Sequence, residues 1–198
     1  MMANKVFISF RFSDGSDYKE SLEKTFEELD YVINKSENVD RTGASDEVIK
    51  NYLYEKLRDT SLTIIILPPD AINYRRNYYG YIDDWLYDEL RYSLENRSGN
   101  RTNGVIALYT IEAKHIVILS ETKELITIAN FNNLARKNML NIKNEYKHCQ
   151  IPEQYNSEKD TYISLVAFDK FINNPKTYID SAIEKRNRLE QFELVKRM

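Results

Sequence analysis

Glycine is scarce, with five in 198 residues. Neither GxGxxG nor a Walker-type GxxxxGKS/T occurs, which excludes a Gly-rich phosphate cradle. A single cysteine, Cys149, rules out an internal disulfide, and with only two histidines beside it there is no zinc-site spacing. No serine stands in a GxSxG nucleophile elbow. The longest apolar run, Leu62 to Leu67 with Thr63 inside it, is far too short to span a bilayer. The opening MMANKVFISF lacks the basic region, apolar stretch and small-residue cleavage site of a secretory leader. A cytoplasmic protein with no membrane partner is the expectation. Positive charge is not in excess: 28 Lys plus Arg against 31 Asp plus Glu leave a net charge of −3. No nucleic-acid partner is expected.

What is present is globular in kind. Hydrophobic residues make up 42% and charged residues 30% of the chain, and its length suits one domain with a real core. Tyrosine is the anomaly, with fifteen copies, many of them between Tyr74 and Tyr92. An apolar ring with a polar tip suits a surface that meets a partner or a planar ligand. A compositional drift towards Tyr, Asn, Lys and Ile accounts for the same count and stands beside that reading.

Patterning along the chain alternates strand and helix. Lys5–Phe10 is an apolar run that reads as a buried strand. Ser13, Asp14 and Ser16 offer caps for a helix carrying Tyr18, Leu22, Phe26 and Leu29. Residues 31–34 make a short second strand, and Ser36 to Ser45 a polar loop containing Gly43. Ser45 then caps a helix with Val48, Ile49, Tyr52, Leu53 and Leu57 on one side. Leu62–Leu67 is the clearest strand, ended by Pro68 and Pro69. Ile82 to Asn96 is helical by spacing, and Gly104–Tyr109 is another strand. His115–Leu119 and Glu124–Ala129 read as a hairpin, Leu134–Tyr146 as a helix, Tyr162–Phe168 as the last strand and Thr177–Lys196 as a closing helix. Such alternation implies a mostly parallel five-stranded sheet covered on both faces. The organisation is one domain over 1–198, with core βα units in 1–111, an insertion in 112–157, and the last strand and closing helix in 158–198.

Within this frame the sharpest chemical feature is Trp85-Leu86-Tyr87-Asp88-Glu89. Ile82, Leu86, Leu90, Ser93 and Leu94 form one helical stripe, and Glu89 lies roughly 70° from its centre, with Trp85 one turn before it. A carboxylate on that shoulder suits a cleft. The plainer reading is a Glu that snorkels to water beside an amphipathic Trp. His115, inside an apolar run, reads as a satisfied strand residue, and Lys185, Arg186 and Arg188 read as a solvated helix face.

Lys5 to Arg11, the polar loop Asp40 to Ser45, the strand Leu62–Leu67 and Trp85-xxx-Glu89 stand in the order of a TIR domain. Arg101 to Ala107, Tyr162 to Val166, Asn174-Pro175 and Tyr178-Ile179 follow as that family's later segments do. The chain therefore resembles the bacterial TIR-like family that includes the NAD-consuming sensor of the Thoeris anti-phage system. The resemblance implies a flavodoxin-like three-layer α/β fold and an NAD+ glycohydrolase or ADP-ribosyl cyclase that cleaves the nicotinamide–ribosyl bond and makes a cyclic ADP-ribose signal. It places catalysis on Glu89 and the dinucleotide against Ser9, Phe10, Arg11, Asp14, Asp40, Thr42, Gly43, Ser45 and Trp85. NAD+ would be the substrate, with no prosthetic group and no metal. Expected partners are a second copy, a phage-derived activator and a separate effector that reads the product. The Tyr-rich stretch Tyr74–Tyr81 departs from the common pattern. Two alternatives stay in view: a non-enzymatic TIR adaptor acting by assembly, and a receiver domain. The receiver would need acids at the ends of the first and third strands, where Ser9 and Pro68 stand.

Overall fold

The computed structural model describes residues 4–11, 13–29, 32–34, 46–96, 101–122, 126–148, 151 and 154–198. Strand β1 (Asn4–Ser9) is followed by helix α1 (Ser16–Glu27), β2 (Val32–Asn34), α2 (Asp46–Leu57), β3 (Leu62–Leu67), α3 (Trp85–Leu94) and β4 (Gly104–Tyr109). A short helix α4 (Lys114–Val117), a ribbon of β5 (Ile118–Glu121) and β6 (Ile126–Ile128), and a one-turn helix α5 (Leu134–Lys137) come next. The chain closes with β7 (Ser164–Ala167), α6 (Phe168–Asn173) and α7 (Pro175–Asn187).

Five strands pair in the order β2-β1-β3-β4-β7, every neighbour parallel. That is the flavodoxin-like order, the three-layer TIR-like arrangement expected from the sequence. Parallel strands buried on both faces need apolar residues at successive positions, and LTIIIL in β3 supplies them. Ile64 and Ile66 face a core with Leu22, Phe26, Phe171 and Ile179. Ile65 and Leu67 face the opposite core with Leu86, Leu90 and Leu94. Helices α1 and α7 therefore cover one face of the sheet and α3 the other. Each fully buried aliphatic side chain contributes about 1.5–3 kcal/mol.

Several local expectations are corrected. Ser13, Asp14 and Ser16 do not cap α1; Gly15 holds that position with no side chain to offer. Its N–H turns back to the Arg11 carbonyl at 2.8 Å, and a Cβ at Gly15 would stand 2.8 Å from the same oxygen. Val48 is exposed, whereas Leu53 and Leu57 of the same helix are buried. Residue 31, the polar loop 36–45 and the Ser45 cap lie outside the described residues. The expected ribbon forms, but His115 sits in α4 and is exposed instead of being a strand residue.

The helix expected over Leu134–Tyr146 stops after one turn. Asn138 Nδ2 takes the Leu134 carbonyl at 2.9 Å and the Val195 carbonyl at 2.7 Å, while its Oδ1 accepts from Val195 N. Leu140 then adopts φ +55°. The same capture ends the closing helix early. After α7 a 3-10 turn at Leu189–Gln191 leads into an extended tail against this segment, Lys143 N reaching the Gln191 carbonyl and Glu193 N the Asn141 carbonyl, both at 2.9 Å. Lys185 is not on a solvated face. It is buried and donates to Ser164 Oγ at 2.7 Å, and burial pushes its ammonium down to about 8. Arg186 Nε donates to the Thr102 carbonyl at 2.8 Å. Among the described residues no helix is long and apolar enough to cross a membrane.

Candidate functional site

In this strand order the chain changes direction between β1 and β3, and ligands of such folds sit beyond the carboxyl ends of those strands. Ser9 ends β1, and α3 crosses beside it. The helix begins at Trp85, later than the spacing suggested, because Asp84 is extended and its side chain accepts from Leu86 N at 3.1 Å. That side-chain cap satisfies a backbone donor of the first turn and sets where the helix starts.

Glu89 is 5% exposed and anchored at both oxygens. Ser9 Oγ donates to its Oε2 at 2.5 Å, and Trp85 Nε1 donates to its Oε1. The i,i+4 spacing of Trp85 and Glu89 makes the second contact possible within one helix turn. Burial pushes the Glu89 carboxyl up to about 8, against the pull of the Ser9 and Trp85 hydrogen bonds and helped by the nearby Asp88 and Asp84 charges. The snorkelling alternative is thereby excluded: the carboxyl is buried, with one donor on each oxygen and further acceptor capacity left.

Around Glu89 the support is polar and rigid. Ser93 Oγ donates to the Glu89 carbonyl at 2.8 Å and meets Thr63 Oγ1 of β3 at 2.8 Å. Asn103 Nδ2 continues the chain to Thr63 and Thr60. Arg11 pairs with Asp84 and donates to the Asp70 carbonyl, and all but 8% of it is buried. Asp84 also accepts from Arg75 N at 2.7 Å. One carboxylate thus holds the end of β1, the turn after β3 and the start of α3. Trp85 packs on Tyr52 of α2, ring centroids 6.2 Å apart.

Of the residues singled out from the sequence, Ser9, Arg11, Trp85 and Glu89 come together. Phe10 is buried among Val6, Ile8, Leu22 and Phe26, with the Lys19 ammonium 5.5 Å from its ring centroid. Asp14 is half-buried; Ser13 donates to its Oδ1 at 3.2 Å, and its enclosed Oδ2 has no partner. Asp40, Thr42, Gly43 and Ser45 lie outside the described residues. Sequence reasoning missed Asp84, although an Asp directly before the Trp85 helix is a cap signal; extending the helix back to Ile82 hid it.

A depression of about 320 Å³ lies elsewhere, lined by Asn73, Asn130, Phe131, Asn132 and Lys137, and includes none of these residues. Among the described residues no group of three or more His, Cys, Asp and Glu is placed to hold a metal ion. Chemically, the Glu89 site offers one carboxyl with both oxygens fixed, ready to ionise when positive charge arrives beside it.

No family model matches the chain. Among solved structures it is similar to the TIR domains of the activated Roq1 resistosome that directly recognizes the pathogen effector XopQ. The two share 12% identity over 97% of this chain and 86% of that chain, with a TM-score of 0.35. The fold assignment therefore rests on the strand order above.

Proposed function

We propose that the chain is a TIR-type NAD+ glycohydrolase or cyclase whose catalytic carboxyl is Glu89. The observation that supports it is a buried carboxyl at the end of β1, held by Ser9 and Trp85 on both oxygens and pushed up to about 8. Carboxyls strongly perturbed by burial cluster at functional sites.

Cleavage breaks the bond from the nicotinamide nitrogen to the ribose C1′. The electron pair leaves with nicotinamide, which departs neutral, and positive charge develops on the ribose as in glycoside hydrolysis. A glycosidase needs a second carboxyl to protonate an alkoxide leaving group; here none is required. A substrate cation beside Glu89 favours its carboxylate form, and that carboxylate then faces the developing charge on the ribose. The enclosed, unpartnered Asp14 Oδ2 is an acceptor of the kind a ribose hydroxyl would satisfy. Water attacking C1′ gives linear ADP-ribose and releases a proton. Attack from the dinucleotide's own adenine gives a cyclic isomer, favoured by a closed and dry pocket. A phage-derived activator and a separate effector that senses the product belong to the same reading.

The test is mass spectrometry of NAD+ incubated at high protein concentration with wild type and Glu89→Gln. Free nicotinamide from wild type alone supports the enzyme, and the mass of the second product separates cyclic from linear. Equal turnover by the two proteins refutes Glu89 as catalyst. The adaptor reading draws on Tyr78, Tyr79 and Tyr81, which are bare to solvent. It is the one left standing if neither protein consumes NAD+, alone or in phage-infected lysate.

A further inference from the structure

The tyrosine-rich stretch resolves into two populations. Tyr74, Tyr87 and Tyr92 pack inward, Tyr87 half-buried, whereas Tyr78, Tyr79 and Tyr81 are 97%, 79% and 72% exposed. These three crown a small hairpin whose arms bridge at Arg76 and Ile82. Its tip is locked. Asn77 N donates to the Tyr81 carbonyl and Gly80 N to the Asn77 carbonyl, both at 2.9 Å. Asn77 Oδ1 accepts from Tyr79 N and Tyr81 N, and Arg76 donates to the Gly80 carbonyl at 2.6 Å. Gly80 takes φ +83°, which an L side chain adopts only under strain. The rings of Tyr78 and Tyr79 meet edge to face at 5.5 Å. At its base, Arg75 N and the Arg75 carbonyl hold Asp84 and Asp83.

Aromatic side chains presented on a rigid turn beside arginines are the composition of binding hot spots, because little rotamer freedom is lost on docking. Arg75 and Arg76 are both exposed, and the Arg75 guanidinium makes no hydrogen bond or ion pair among the described residues. Against these two arginines stands one exposed acid, Asp83 at the base, so the surface keeps a net positive charge and is rich in hydroxyl donors; its complement is an acidic face. This chain carries one. The outward side of α1 shows Asp17, Glu20, Glu27 and Glu28 against Lys24 alone, and none of those four acids has an ion-pair partner among the described residues.

We infer that the 76–82 hairpin of one copy docks on the acidic outer face of α1 of a second copy. The hairpin belongs to the α3 face of the sheet and α1 to the other. Donor and acceptor surfaces therefore lie on opposite sides of each molecule, and the contact is head-to-tail, extending instead of closing as a two-fold dimer. Three tyrosines and two arginines make a patch well below the roughly 1,200 Å² of a standard interface. Assembly is accordingly weak, concentration-dependent and weakened by salt. None of this depends on Glu89 being catalytic.

Sedimentation velocity at rising concentration up to the millimolar range, at low and high salt, tests it. Wild type is expected to gain mass with concentration, and less so in high salt. Tyr78→Ser with Tyr79→Ser and Tyr81→Ser removes the hairpin surface; Glu20→Lys with Glu27→Lys reverses the α1 face. All five positions are exposed, and thermal melts check that both proteins remain folded. Each variant alone is expected to stay monomeric, its dissociation constant raised about tenfold or more. Mixed one to one, they restore a single contact, hairpin of one to α1 of the other, and stop at a capped dimer. Arg75→Glu is a milder variant expected to weaken assembly with the fold intact. A wild type that is monomeric throughout, a variant that assembles as wild type does, or a mixture that stays monomeric would overturn the inference.

Discussion

Glu89 sets two opposing demands on one carboxyl. Its two donors favour the charged form, and burial favours the neutral one; burial wins, at about 8 against an ordinary 4.5. If the carboxylate is the working form, kcat/KM for NAD+ climbs as pH rises towards about 8 and levels above it, since that ratio reports the free protein. The kcat profile, set by the complex with the cationic substrate, is displaced to lower pH. A flat kcat/KM profile below 8 would contradict that role. Stability carries the same signature with a defined sign. Below 4.5 folded and unfolded chains are both protonated at this site; from 4.5 to about 8 only the unfolded chain ionises, so folding loses stability as pH rises. Glu89→Gln keeps the shape, accepts from Trp85 and donates to a rotated Ser9 hydroxyl. Its melting temperature relative to wild type is expected to rise steadily across that window, by several degrees for a loss of the order of kilocalories.

Among elements, the junction at Asp84 dominates. Arg11 and Asp84 are both buried, and breaking such a pair by removing one partner costs about 3–5 kcal/mol. Asp84→Ala also strips the α3 cap, so urea denaturation is expected to show the larger loss for Asp84→Ala than for Arg11→Met. A double variant should lose less than the sum of the two, because it leaves no orphaned charge. This junction also marks where reading the sequence succeeded and failed. LTIIIL and GVIALY announced β3 and β4 to the residue, because a continuous apolar run of six is too short for a buried helix. Glu89 and Trp85 were legible from one helix turn, and Ser9 and Arg11 entered through resemblance. The cap at Asp84 was readable but hidden by extending the helix to Ile82; its pairing with Arg11 and the Asn138 clasp on the C-terminal tail were not legible. Each depends on a side chain meeting a group distant in sequence: the Arg11 guanidinium lies 73 residues from the Asp84 carboxylate, and Asn138 lies 57 from the Val195 backbone. Periodicity has no access to such contacts.

For the whole molecule, Lys185 ties the last helix to the last strand from inside. Its ammonium is pushed down to about 8 by burial, with Arg188 adding to the push and Glu158 and Glu184 opposing it. At neutral pH the charge is present in both folded and unfolded chains and is disfavoured in the folded one. Between about 8 and 10.5 the folded chain sheds it first, so stability rises with pH across that interval. Denaturation of wild type is expected to show this alkaline gain, and Lys185→Met to lack it while being the more stable of the two at neutral pH. The hairpin imposes a different kind of constraint on the molecule. Its outer residues, 77–81, are all exposed, whereas Ile82 packs on the core and the footings at Arg75 and Asp84 are shared with β1 and α3. The segment therefore has natural splice points. Residues 77–81 can be lengthened, shortened or exchanged for another recognition loop without disturbing Glu89. A cut that reached Ile82 would open the core, and one at Asp84 would take the helix start with it.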